Sequence, residues 1–444
     1  MRTFLIVWCG QLISVLGSKL TEFALGFWIL GQTYEETGQI TQFALTILLI
    51  YLPKVIVSPF AGVLIDRWNR RTAMLLSDGV TGIITVVLIA LVAADRLEIW
   101  HIYIAITIAS SVNAIQVPAY TAAIAQLVPP KRLSRANGMV QASIGVAKIA
   151  SPFIAAFLLQ KIGLSGVLAV DLVTFTIALG TLLAVRFPTI TRRITAQRSS
   201  LEQLVDDVIS GWGYIATRPG LLSLLGFIAI SYFTTGMLEV ILWPLLYEPN
   251  STQLGNILSI GGCGVLVGAL LSSFLNIERN RVMVIVSCVT LQGIVIVVAG
   301  LKASLVVLGI GIFLYLLAQP IIISTNQAIW QSKVPTKLQG RVFSLQQSLE
   351  RALAICAYVV AGPLVDNVLN PLMQEGSFLD RTVGRFVGVE IGQGNGIALL
   401  LVLLGFWNLF IVAIAIREPR LRRLEEEIAD NLTSSVNISP TKSS

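Results

Sequence analysis

The sequence predicts an all-α membrane protein, with twelve transmembrane helices in two pseudo-symmetric six-helix bundles. Three observations predict it. Of the 444 residues, 55% are hydrophobic and only 12% are charged, where a soluble domain carries roughly 25% charge. Apolar runs long enough to cross a bilayer as a helix recur along nearly the whole length. An internal repeat of constant offset relates the two halves of the chain.

The expected spans are 4–30, 43–65, 73–94, 99–124, 138–160, 164–186, 220–246, 253–276, 281–300, 303–328, 342–366 and 396–416. The opening stretch MRTFLIVWCGQLISVLGSKLTEFALGFWIL is longer than a signal-peptide core of about 7–15 residues, so it reads as the first span. The boundaries define a first bundle over 1–186, a linker over 187–219, a second bundle over 220–416 and a polar tail over 417–444. In the linker, Leu201, Leu204, Val205, Val208 and Ile209 recur at helical spacing, which predicts an amphipathic helix on the cytoplasmic face. Residues 367–395 form a Gly-rich loop, and the tail starts as a charged helix before turning Ser/Asn-rich.

Charge sets the orientation. Of the 31 Lys and Arg residues, 22 fall in gaps on the side of the N-terminus and five on the other, with Lys19, Lys54, Lys148 and Arg351 inside spans. The positive-inside rule then puts both termini in the cytoplasm of a multi-pass protein of the cell membrane. This distribution also explains the net charge of +7 without nucleic acid, because the basic residues form no single patch.

LVPPKRLSRANGMVQ at 127–141 matches KVPTKLQGRVFSLQQ at 333–347. Val128 pairs with Val334, Pro129 with Pro335, Lys131 with Lys337, Arg135 with Arg341 and Gln141 with Gln347, always 206 residues apart. The same shift carries Gly62 to Gly268 and Leu64 to Leu270, whereas Asp66 lands on Ser272. Two parallel six-helix halves handling a substrate between them are a transporter plan.

The stretch GVLIDRWNRR concentrates Gly62, Asp66, Arg67, Arg70 and Arg71 between the second and third spans. It resembles the loop signature of the major facilitator superfamily, G-x-L-x-D-R-x-G-R-R. Asn69 stands where the signature has its second glycine, and asparagine tolerates a left-handed backbone there. With WCGQLISVLGSKLTEFAL, PAYTAAIAQLVP, RANGM and GRVFS, the chain is similar over residues 4–416 to the macrolide-efflux branch of the twelve-helix drug:proton antiporters. The resemblance implies a gate. Asp66 would meet the start of helix eleven, near Arg341 to Ser344, when the protein opens outward, and a carboxylate is stabilised at a helix N-terminus. The partner often found in helix four is missing here, which makes Asp78 the expected internal partner of Arg67.

Charge inside a span is costly and marks function by default. Gln11, Ser14, Ser18 and Glu22 share one face of the first span, with Lys19 at its border. Glu22 either pairs with Lys19 or faces a cavity and takes up a proton. Lys148 lies deep in span five, and its expected partner is Glu22 or Glu350, with Arg351 beside the latter. Glu239 either joins this coupling set or snorkels from the outer end of span seven. In the family that the chain resembles, helices one, four, seven and ten line the central cavity. Asn113, Gln116 and Tyr120, then Tyr232, then Gln319, Asn326 and Trp330 mark those helices as cavity wall, with helix–helix hydrogen bonding the competing role. Ser143, Ala147, Ser151 and Ala155, four apart, predict close helix contact in span five.

No phosphate-cradling G-x-x-x-x-G-K-[ST] occurs, and one histidine with four scattered cysteines suggests no metal site. The expectation is therefore no enzyme and no cofactor. It is a monomeric transporter whose partners are the bilayer, protons and an amphipathic small molecule, and which is driven by a proton gradient to export macrolide-like compounds, siderophores or other natural products. An importer or uncoupled facilitator, and a transport-dead sensor or scaffold, are the alternatives.

Overall fold

The computed structural model describes residues 2–67, 69–129, 133–185, 209–247, 252–274, 280–335, 338–374, 388–389 and 395–424. The side chains of 58–60 and 62–67, among a few others, lie outside this description.

Among the described residues the chain forms twelve long helical rods. They are α1 (Arg2–Thr37), α2 (Thr41–Arg67), α3 (Arg70–Ala93), α4 (Ile99–Leu127), α5 (133–162), α6 (164–184), α7 (Pro219–Leu246), α8 (Gln253–Phe274), α9 (Arg281–Leu301), α10 (Leu305–Lys333), α11 (Gln339–Leu364) and α12 (Asn395–Arg417). The fifth and sixth expected spans are two helices that meet at a kink at Gly163, whose φ of 65° and ψ of −175° only glycine adopts readily. Ten described helices are long and apolar enough to cross a membrane, one of them being that double run, and Thr41–Val57 is a shorter apolar helix. Ile83, Phe153, Val306 and Phe410 are more than half exposed on the outer surface, as lipid-facing residues are.

The two halves repeat each other. In the first, α1 packs on the α5–α6 pair, α2 on α4, and α3 on α4 and α6; in the second, α7 packs on α11, α8 on α10, and α9 on α10 and α12. The offset seen in the sequence is structural. Val128 and Val334 are the C-caps of α4 and α10, both extended, each donating its N–H to the carbonyl four residues back, Ile124 and Trp330. Pro129 and Pro335 follow and forbid another helical turn. The halves meet along two seams, α2 with α11 and α5 with α8.

The start of α1 packs at the end of α4, Phe4 against Ile124 and Val128, and the end of α12 at the end of α10, Ala415 clustering with Trp330 and Val334, so both mark the terminal end of their half. At this terminal end the buried cores are separate. Val7, Ala61, Met74, Ala119 and Leu182 form one within the first half, and Leu221, Ile285, Ile329, Trp330 and Ile411 another within the second. At the distal end a single core crosses the seam, from Phe23 and Phe43 to Val240, Ala357 and Leu400. Among the described residues one core thus joins the halves distally, and toward the termini each half keeps its own.

The linker prediction falls largely on residues outside the description. Its described part, a helix over 209–216, belongs to the second half. Ile215 is fully buried there, and the Tyr214 hydroxyl donates to the Lys333 carbonyl at 2.7 Å. Burial raises the Tyr214 hydroxyl pKa, although the Arg218 guanidinium lies 3.6 Å from its ring centre. Within the expected loop 367–395, a turn over Asn370–Leu372 is helical, and Gly388–Val389 pairs in parallel with Lys302–Ala303.

Candidate functional site

The gating stretch comes first. Asn69 is not left-handed. Its φ of −67° and ψ of 123° are extended, and its Oδ1 accepts the Arg71 N–H at 3.0 Å, capping α3. Asparagine replaces glycine here because the position needs a side-chain acceptor for an orphan helix amide. Arg71 reaches across the first half, donating from Nε to the Leu182 carbonyl at 2.9 Å and from its terminal nitrogen to Leu183 at 2.8 Å. It therefore closes the C-terminal end of α6, where free carbonyls attract a cation. Gly62, Asp66 and Arg67 end α2, but the side chains of Asp66, Arg67 and Arg341 lie outside the described residues.

The expected pairing of Asp78 with Arg67 lies outside the described residues, as the Arg67 side chain does. Asp78 is buried in the first half, and both its oxygens are taken by carboxamides: Gln11 Nε2 donates to one at 3.1 Å and Gln116 Nε2 to the other at 2.6 Å. Gln116 also donates to Gln11 Oε1 at 3.2 Å, so α1, α3 and α4 meet at one polar knot. It borders a cavity of about 360 Å³ whose wall includes Gln11, Ser18, Lys19, Glu22, Lys54, Asp78, Asn113, Gln116, Tyr120 and Asp171. Asp171 of α6 accepts the Thr21 hydroxyl at 2.7 Å. A shallower groove of about 680 Å³ between α8 and α10 carries no charge and opens past Val306 and Ile310 on the outer surface, so it faces lipid.

The pairing reading of Glu22 holds, and its place on a cavity wall holds with it. Glu22 is ion-paired with Lys19 and it faces the cavity. Lys54 and Lys148 act on it electrostatically as well. Lys148 makes no ion pair or hydrogen bond among the described residues, and the expected pairing with Glu350 is absent. Glu350 is instead held inside the second half by Asn326 Nδ2 at 3.0 Å and Gln346 Nε2 at 2.7 Å. Asn326 and Trp330 are therefore not cavity wall. The Trp330 indole donates to Asn326 Oδ1 at 3.1 Å, and its ring is fully buried in the second-half core. Gln319 donates to the Thr235 hydroxyl at 3.3 Å, the helix–helix role rather than the cavity one. Tyr232 packs partly buried against both cores of the second half, with Arg351 and Glu350 acting on it.

Glu239 does not snorkel. It accepts the Tyr358 hydroxyl of α11 at 2.5 Å. Tyr358 stacks on Tyr51 of α2 across the seam, ring centres 5.2 Å apart, and Lys54 lies 5.7 Å from the Tyr51 ring centre. Glu22, Lys54, Tyr51, Tyr358 and Glu239 thus form a chain of polar groups from one half to the other. Above it is an aromatic seal: Trp243 of α7 lies 5.1 Å from Phe23 and 5.3 Å from Phe43, and Tyr247 lies 4.9 Å from Phe27.

Sequence reasoning missed the outermost contact. Pro363 has no N–H to give, and the helix continues as a π-helical turn over Val365–Leu369. Asp366 in that turn accepts the backbone N–H of Ile40 at 2.9 Å and that of Thr41 at 2.8 Å, which caps α2 from the opposite half. No sequence signal marks a partner made of backbone amides. His101, the lone histidine, is a cap too, its Nδ1 accepting the Glu98 N–H at 3.1 Å.

Pseudo-symmetric six-helix halves joined by one core at one end, with a polar-spotted cavity walled by the helices of the first half, define a secondary transporter rather than an enzyme. Residues 7–357 match the family described as Major Facilitator Superfamily, and the chain belongs to it. It is 27% identical over 357 residues to Macrolide efflux protein A of Streptococcus pyogenes, covering 78% of this chain and 85% of that one. An uncharacterized MFS-type transporter of Bacillus subtilis, YkuC, is 24% identical over 356 residues, covering 78% of this chain and 81% of its own. The fold is similar to the crystal structure of a bacterial homolog of the human lysosomal transporter Spinster in an inward-facing, unoccupied conformation. There the TM-score is 0.69 at 14% identity, covering 97% of this chain and 98% of that one. A bacterial homologue of the iron transporter ferroportin, inward-facing, gives a TM-score of 0.65 at 15% identity, covering 93% of this chain and 98% of that one.

Proposed function

We propose that this transporter exports amphipathic small molecules, macrolide-like compounds among them, in exchange for protons, by rocking its two halves about the cavity. The observation that supports this most is the cavity itself. Its wall joins apolar side chains, Leu12, Val15, Ile84 and Phe175, to the carboxylates Glu22, Asp78 and Asp171 and the cations Lys19 and Lys54. Such a surface suits a large apolar molecule that carries a cationic group, and its carboxylates are groups a proton can reach. The name of the Streptococcus pyogenes relative points the same way. All the groups needed come from one chain, which fits a monomer. The bias of Lys and Arg toward the terminal end supports cytoplasmic termini in the cell membrane, and the opening would then face the cytoplasm. The test is uptake of erythromycin by everted vesicles with an acidified lumen. The expected result is accumulation that a protonophore abolishes. Accumulation only in right-side-out vesicles would favour an importer, accumulation indifferent to the gradient a facilitator, and no movement in either a scaffold.

A further inference from the structure

We infer that Asp78, held between Gln11 and Gln116, is the group that takes up and releases the coupling proton; this rests on the proton-exchange reading above. Among the carboxylates of the spans, Glu22 is already committed to Lys19, and protonating it would strand a cation. Asp78 has no such tie among the described residues, where its partners are the two carboxamides. The titratable groups lining its cavity are Lys19 and Glu22 on α1, Lys54 on α2, Tyr120 on α4 and Asp171 on α6. None of these makes an ion pair or hydrogen bond with Asp78 among the described residues, and neither does Arg71 on its own helix, whose guanidinium is spent on α6. Among the described residues, a proton can therefore enter without breaking an ion pair.

The carboxamides make both states satisfiable. The ionised carboxylate only accepts, and the two Nε2 groups supply its donors. The protonated acid adds an O–H donor, and a glutamine turned by half a rotation offers its carbonyl in reply. That rotation removes the Gln116 donor from Gln11 Oε1, the 3.2 Å contact that ties α4 to α1. One proton from solvent thus goes onto Asp78, and the consequence is a changed contact between two helices that wall the cavity. The Tyr120 hydroxyl, one turn along α4 from Gln116, is buried beside the same cavity without a hydrogen-bond partner among the described residues, and it can accept from or donate to a water that relays the proton.

The experiment is infrared difference spectroscopy of the full chain in liposomes across a pH titration, with no substrate added. Wild type is expected to show a protonated-carboxyl band that Asp78→Asn removes and whose midpoint Gln116→Ala shifts. In parallel, binding of erythromycin is expected to depend on pH in wild type and to lose that dependence in Asp78→Asn. If Asp78→Asn fails to fold, the Gln116→Ala midpoint decides alone. Identical spectra in wild type and variants overturn the inference while leaving proton exchange intact. A wild type that moves erythromycin without regard to a proton gradient overturns the exchange reading instead, whatever the spectra show.

Discussion

The carboxylate of Asp366, beyond the end of α11, accepts both the backbone N–H and the hydroxyl of Thr41, the first residue of α2, at 2.8 and 2.5 Å. The two residues belong to opposite halves, so this contact must break for the distal end to open. Hydrogen bonds to an ionised group contribute about 1.5–3 kcal/mol, and a helix N-terminus adds to them. Asp366→Ala is therefore expected to shift the resting population toward distal opening by roughly ten- to a hundredfold. The measurement is labelling of a Ser18→Cys reporter, in a background lacking Cys9, Cys263, Cys288 and Cys356, by an impermeant thiol reagent applied from the distal side. Labelling no faster than in the parent would remove Asp366 from the seal.

The bond from Tyr358 to Glu239 joins α11 to α7 beneath that seal. A double-mutant cycle of Tyr358→Phe and Glu239→Gln on erythromycin efflux is expected to be non-additive by about 0.5–3 kcal/mol, the range for residues in direct contact. Additive effects would mean that the two groups act separately.

Arg71 predicts a loss of stability rather than of sidedness. Arg71→Ala orphans the last carbonyls of α6 and is expected to cost about 1–2 kcal/mol, the group being only partly buried. Arg71→Lys recovers less than half, because one ammonium cannot span two carbonyls as the guanidinium fork does. Thermal unfolding in detergent reads the loss, and the Ser18→Cys labelling rates from the two sides should keep their ratio.

Gly268 tests the packing of α8 on α10. A Cβ there would lie 2.1 Å from the Leu317 carbonyl oxygen, whereas at Gly145 the nearest atom would be Leu266 Cδ2 at 3.9 Å. Gly268→Ala is expected to destabilise by about 1–3 kcal/mol or more, and Gly145→Ala to leave the melting temperature unchanged. Equal melting temperatures would contradict the backbone contact.

The fold was legible because its causes are local. Apolar runs fix the spans, and Val128-Pro129 and Val334-Pro335 repeat a helix stop that any chain must obey. Gly163 was harder to read, since one glycine gives no sign that its left-handed φ alone turns the chain from one span into the next. At the site, Glu22 and Lys19 were readable as neighbours on one face, three residues apart. Gln11, Asp78 and Gln116 were each visible, but their meeting depends on how three helices turn toward one another, and periodicity alone does not determine that. Trp330 misled because a polar-tipped aromatic on a cavity-lining helix can point either way, and here burial of the ring prevailed.

The two seams are made differently. Along α5–α8, Gly255 lies against the Pro152 carbonyl and Gly262 against the Ile149 backbone, with a side-chain bond from Ser259 to the Ile149 carbonyl at 3.0 Å. Along α2–α11, stacked rings and a carboxylate grip hold the halves at one angle. Smooth glycine surfaces let helices stay close while they turn, as interlocked side chains do not. The α5–α8 side is thus built as a pivot and the α2–α11 side as a jaw, so the passage should open as a wedge, with cargo leaving by its wide edge.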